Sequence, residues 1–99
     1  MEFSVQSEFD RLLSKPGVFG ALILSATGAI VISSFDSNET VERAAAVYEL
    51  ISASEKTKQL SKGTPDSIKF IRIKTELYEL LVCPNNDYIF ATFTSLNKS

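Results

Sequence analysis

From Val18 to Ala26 the chain is apolar at nearly every position. Read as a strand, it places Val18, Leu22 and Leu24 on one face and Phe19, Ala21 and Ile23 on the other. A strand that is apolar on both faces has to be covered on both faces. The chain has 99 residues, a length that suits one domain built round one core. The covering layers must therefore come from the segments on either side of this strand.

Upstream, Val5, Phe9, Leu12 and Leu13 recur at helical spacing with Glu8, Asp10 and Arg11 between them. This pattern predicts a short amphipathic helix over about residues 3–14. Lys15-Pro16-Gly17 stops it, because the residue before a proline is pushed out of the helical region. Downstream, Thr27-Gly28 reads as a tight turn and residues 29–35 as the second strand of a hairpin.

Asp36 followed three places on by Glu39 has the form of a capping box. From there to about Leu60 there is no glycine or proline, which predicts a helix of about 24 residues. Val41, Ala44, Ala45, Val47, Tyr48, Leu50 and Ile51 fill more than one stripe of it. A helix apolar on two sides has two things to pack against.

Gly63-Thr64-Pro65-Asp66 is a loop, residues 68–74 alternate like a strand, and residues 77–83 form another strand. Pro84-Asn85-Asn86-Asp87 is a turn, residues 88–94 form a fifth strand, and the tail is polar. The expected order is α-β-β-α-β-β-β, an α+β protein in which one sheet lies between helices in an α/β/α three-layer sandwich. Residues 1–99 read as a single domain with an ordered core of about 3–94 and no internal repeat.

Little in the sequence carries chemistry. Histidine is absent, which removes the commonest general base and metal ligand and every Ser-His or Cys-His nucleophile pair. Cys83 is the only cysteine, so no internal disulfide forms, and one thiol cannot build a zinc site. It reads as a structural thiol in a reducing, cytoplasmic setting. Lys62-Gly63-Thr64 superficially suggests a phosphate loop, but the order is wrong and it reads as a helix stop. The carboxylates of Glu8 and Asp10, Glu39 and Glu42, Glu76 and Glu79, and Asp66 and Asp87 read as surface charge and caps.

Lys69, Arg72 and Lys74 alternate with apolar neighbours, as on a solvated strand edge. Phe3, Phe9, Phe19, Phe35, Phe70, Phe90 and Phe93 are mostly core candidates. Ten basic and twelve acidic residues give a net charge of −2, which offers no attraction to nucleic acid. No apolar run suits a signal peptide or a membrane span. The sequons Asn38-Glu39-Thr40 and Asn97-Lys98-Ser99 match by spacing alone. The residues imply a binding module without enzyme activity, cofactor or metal, and the doubly apolar helix points to self-association as a twofold dimer.

Four segments, in order, resemble one family. Val5 to Leu24, with Arg11-Leu12-Leu13 before Gly17-Val18-Phe19-Gly20 and an aliphatic strand, resembles the opening of roadblock-type dynein light chains. Thr27-Gly28-Ala29-Ile30 matches their hairpin turn. Phe70-Ile71-Arg72-Ile73-Lys74 is similar to their Phe-Leu-Arg-Ile-Arg strand. Glu79 to Tyr88 looks like their Glu-Ile-Met-Val-Ala-Pro-Asp-x-Asp-Tyr segment.

The resemblance implies a five-stranded antiparallel sheet in the order 2-1-5-4-3. It implies a homodimer, or a pair with a sibling light chain, in which strand 3 meets its copy to give a continuous ten-stranded sheet. The implied interface takes in Ala44, Ala45, Tyr48, Ile51, Ser52, Lys69, Ile71 and Ile73. The implied function is a non-catalytic adaptor of a cytoplasmic or axonemal dynein, a microtubule motor, binding a segment of the intermediate chain. The alternative is a roadblock-type partner of a small Ras-like GTPase; a PAS- or profilin-type sensor shares the strand order. Two positions depart from the light-chain pattern. Thr75-Glu76-Leu77-Tyr78 stands where a basic turn is usual, and Ala44-Ala45-Ala46 where larger residues are common.

Overall fold

The computed structural model describes residues 3–96; the sequon at Asn97 lies outside them. α1 (Val5–Leu13) begins at Ser4, whose hydroxyl accepts a hydrogen bond from the Ser7 amide at 3.2 Å. It buries Phe9 and Leu12. β1 (Val18–Ser25) and β2 (Ile30–Ser33) form the hairpin. Gly28 turns it at φ 96°, a conformation that costs glycine nothing and a branched residue dearly.

α2 (Ser37–Ser54) is capped by Asp36, which accepts from the Glu39 amide at 2.8 Å. The reciprocal half of the expected capping box does not form, because the Glu39 carboxylate reaches Arg43 at 3.2 Å instead. The α-helix also ends sooner than expected, and residues Glu55–Ser61 continue as 3₁₀ turns. The hydroxyls of Ser54 and Thr57 donate to the carbonyls of Ile51 and Ser54, each three residues back, at 2.7 and 2.6 Å. Such back-bonding competes with the α-helical ladder and suits the tighter turn. Lys62 and Gly63, both at positive φ, then stop the run.

β3 (Ile71–Lys74), β4 (Tyr78–Pro84) and β5 (Tyr88–Ser95) complete one antiparallel sheet in the order β2-β1-β5-β4-β3. β3 is shorter than the expected residues 68–74. Ile71 lies opposite Val82, so extending the ladder would place Lys69 opposite Pro84, which has no N–H to give. The turn into β5 is fixed by Asn85, whose side-chain oxygen accepts from the amides of Asp87 and Tyr88.

β1 is covered on both sides, as its sequence requires. Leu22 and Leu24 join Leu80, Val82, Ile89, Ala91 and Phe93 under Ala44 and Val47 of α2. Ala21 and Ile23 meet Phe9 and Leu12 of α1. Phe19 departs from this alternation. Val18 pairs with Thr94 and Gly20 with Phe93, which leaves Phe19 as the extra residue of a bulge. The bulge turns its ring to the α2 side, 6.3 Å from Phe35 and 6.2 Å from Phe93. The Arg43 guanidinium lies over Phe35 and Phe93 at 4.2 and 4.7 Å. Of the seven phenylalanines, most of them expected in the core, Phe3, Phe19 and Phe70 are about half exposed, at 55%, 49% and 58%.

Candidate interaction surface

Among the described residues there is no group of three or more His, Cys, Asp or Glu side chains that would hold a metal. No helix among them is long and apolar enough to cross a membrane. Several of the carboxylates are occupied as ion pairs and caps. Glu8 pairs with Arg11, Glu79 with Arg72 at 2.9 Å, and Asp66 accepts from Ser61 and the Ser67 amide. The Arg11 guanidinium holds Glu8 below the usual carboxylate range, and the Ser61 hydroxyl does the same to Asp66. A general acid requires the opposite shift.

Cys83 lies half-buried beside α1, and burial pushes its thiol pKa up, with Lys15 opposing. Less thiolate is therefore present at neutral pH than for a free thiol. Iodoacetamide should alkylate Cys83 more slowly than it alkylates glutathione at pH 7; an equal or faster rate would contradict this burial.

What the fold leaves uncovered is edge and surface. β3 lies at one end of the sheet and, among the described residues, bonds on one side only, to β4, so its outer row of N–H and C=O groups has no described strand beside it. Ile71 and Ile73 are half-buried on the α2 side, while Arg72 and Lys74 are exposed on the other. Lys69 stands exposed just before the strand. β2 forms the opposite edge. Such rows are templates for pairing with another chain.

The second uncovered surface belongs to α2. Thr40, Ala44 and Val47 face the sheet, flanked by the half-buried Leu50 and Ile51. One hundred degrees round the helix, Val41, Ala45, Tyr48 and Ser52 are exposed, and Glu42, Ala46, Glu49 and Ala53 point away from the sheet. Val41 is 62% exposed and Tyr48 37%. The Tyr48 ring rests against Gly28 in the β1–β2 turn.

The residues expected at an interface therefore fall into three groups. Ala45, Tyr48 and Ser52 lie on the outer part of α2, and Lys69, Ile71 and Ile73 lie at the β3 edge. Ala44, 4% exposed, belongs to the core, and Ile51 packs against the same cluster. Both share the sheet-facing stripe with Val47, so neither is on the outward face. Ile51, Ile71 and Ile73 meet round one cluster, whereas Tyr48 is drawn toward the hairpin, on the β2 side of the sheet. Glu42, Ala46, Glu49 and Ala53 are not among the residues expected at an interface. Counting helical turns from Val47 would have found them.

On the other face of the sheet, α1 covers β1 and β5, reaches Leu81 and Cys83 of β4 and leaves β3 open. Phe70, Arg72, Glu79, Leu81 and Cys83 line a shallow cleft of about 310 Å³ there.

Several solved structures share this architecture. A Roadblock/LC7 domain from Streptomyces avermitilis is 17% identical with a TM-score of 0.73, over 87% of this chain and 73% of that one. MglB of Myxococcus xanthus is 13% identical with a TM-score of 0.77, over 100% of this chain and 82% of that one. The gliding protein MglB of Thermus thermophilus is 13% identical with a TM-score of 0.70, over 96% of this chain and 77% of that one. At these identities the likeness is one of fold. The family model for the Roadblock/LC7 domain matches residues 5–94, nearly the whole chain. With that match, the two-layer covering of a 2-1-5-4-3 sheet has its name: the chain belongs to the Roadblock/LC7 domain family.

Proposed function

We propose that this chain is a non-catalytic, cytoplasmic adaptor that pairs with a second roadblock-type chain through β3 and serves as a partner or regulator of a small Ras-like GTPase. The observation that carries the pairing is the open β3 edge, with Ile71 and Ile73 alternating against Arg72 and Lys74. Joining two such edges extends the sheet to ten strands and removes one exposed row of backbone groups from each chain. The non-catalytic reading is supported by the absence of histidine from the sequence and by the lowered, not raised, pKa of Glu8 and Asp66.

Two observations favour the GTPase over a dynein intermediate chain. The solved structures described above are bacterial roadblock proteins, one of them a gliding protein. The β3–β4 turn also departs from the basic turn of the dynein light chains. Thr75 caps it by accepting from the amides of Leu77 and Tyr78, and Leu77 is 72% exposed. The dynein adaptor is the second reading, supported by the four segments that resemble those light chains.

Affinity capture of the tagged protein from its own cells, with co-purifying chains identified, separates the two readings. A small GTPase without dynein is the expected result. Dynein heavy and intermediate chains in the eluate would replace it with the second reading.

A further inference from the structure

We propose that the 3₁₀ segment Glu55–Ser61 and the loop after it dock on an anionic lipid surface, with Lys56, Lys62 and Lys69 against the headgroups and Leu60 entering the interface. This surface lies outside the β3 ladder, and its docking depends on neither the pairing nor the GTPase reading.

Charge is unevenly spread along the chain. Residues 55–74 hold six of the ten cations, Lys56, Lys58, Lys62, Lys69, Arg72 and Lys74, and two of the twelve acids, Glu55 and Asp66. That stretch carries +4, and the remaining residues, with four cations and ten acids, carry −6, which together give the net −2. At physiological ionic strength, exposed charges more than about 8 Å apart are largely screened from each other. An approaching surface therefore meets the local patch and not the total.

The 3₁₀ geometry decides which side chains face outward. At three residues a turn, Glu55, Lys58 and Ser61 share one stripe. That stripe is the inner one: Glu55 and Lys58 line a cleft with Ser67, Ile68 and Lys69, and Ser61 donates to Asp66 at 2.6 Å. Lys58 is also paired with Glu55, at 2.9 Å. Asp66 is spent within the patch, since Ser61 and the Ser67 amide bond it and Lys58 and Lys69 add to the lowering of its pKa. The outer stripes carry Lys56 and Gln59, and Thr57 and Leu60. Lys56, Lys62 and Lys69 are exposed, and none enters an ion pair among the described residues. Leu60 is 75% exposed, more than any other large apolar side chain among the described residues. The turn that follows juts into open space, for a Cβ at Gly63 would meet nothing within 4 Å.

The lone leucine favours lipid over a folded acidic partner. A protein interface seats its anchor in a pocket with apolar surface round it, whereas Leu60 has Thr57 before it and Gly63 after it on its own stripe. A fluid headgroup layer needs no matching shape. It takes in one apolar side chain while the lysines reach up to anionic groups on flexible stems.

The full chain is floated with vesicles of phosphatidylcholine alone and of phosphatidylcholine mixed with phosphatidylserine. We expect binding to the mixed vesicles only, weakened about tenfold by high salt. Lys56→Gln with Lys62→Gln should weaken it by about tenfold or more. Lys15→Gln, which removes a charge from the α1 layer, should leave it unchanged. The chain has no tryptophan, so Leu60→Trp supplies a single reporter whose emission should move to the blue on the mixed vesicles. Equal binding to both vesicles, binding that the double lysine variant retains, or an indole that stays in water while the chain is bound overturns the proposal. Failure to bind either vesicle overturns it too, and salt-sensitive binding to polyglutamate would then assign the patch to an acidic protein. Circular dichroism of each variant checks that these exposed substitutions leave the fold intact.

Discussion

Gly20→Val should lower the stability of this protein by about 3 kcal/mol or more, the upper range for forcing volume into a packed site. A side chain at Gly20 has nowhere to go. A Cβ placed there would lie 2.1 Å from Cζ of Phe35 and within 2.9 Å of two further ring atoms. The Phe35 ring cannot swing aside cheaply. Phe93 meets it edge-on at 5.3 Å, Phe19 at 6.3 Å, and Arg43 sits over its face. Gly20 is also the residue that follows the β1 bulge, so the same backbone that turns Phe19 toward α2 has to pass close beneath Phe35. A single domain of this size has roughly 5–15 kcal/mol in total, so the midpoint of urea unfolding should drop visibly. Gly20→Ala combined with Phe35→Leu should lose less than the two single changes added together, because shortening the ring makes room for the methyl group. Simple additivity would show that the clash at Phe35 is not what restricts position 20.

Ile71→Asp should convert a paired protein to monomer at concentrations where the parent chain is paired. Ile71 is half-buried against the α2-side core and stands at the open edge of the sheet. Pairing across that edge removes the remaining water from it, and an uncompensated carboxylate left there costs several kcal/mol. In a twofold pair the new charge also comes near its own copy, which adds repulsion. Because Ile71 contributes to its own core too, the reading needs a measure of folding beside it. Circular dichroism should retain the mixed helix and strand signal while light scattering reports the lower mass. A variant that stays folded and paired would move the interface away from β3.

The two predictions draw on different kinds of information. That Ile71 and Ile73 share one face of the sheet follows from alternation in the sequence alone. The conflict at Gly20 does not, since nothing in Val18-Phe19-Gly20-Ala21 announces a bulge. A strict period of two puts Phe19 with Ala21 and Ile23. The shift arises because Val18 and Gly20 pair with adjacent residues of β5, more than seventy positions away in the chain. The same limit applies to β3, whose first half looks like strand and is left unpaired because Pro84 stands where its partner would be. It applies also to Ala44 and Tyr48. Both are apolar-stripe positions in the sequence, but only packing against the sheet decides that Ala44 goes under the helix and Tyr48 to its flank, against Gly28.

By itself the sequence determined the element order, the turns at Gly28 and Asn85, the cap at Asp36, and the need to cover β1 twice. These are local: they depend on side-chain period, on the φ freedom of glycine and on caps reaching no further than three residues. Tertiary structure alone decided which edge of the sheet stays open, which flank of α2 is acidic and free, and where Arg43 is spent. Each of these depends on what residues distant in sequence leave unpaired, uncovered or uncompensated once the chain has closed on itself, and no local pattern records that remainder.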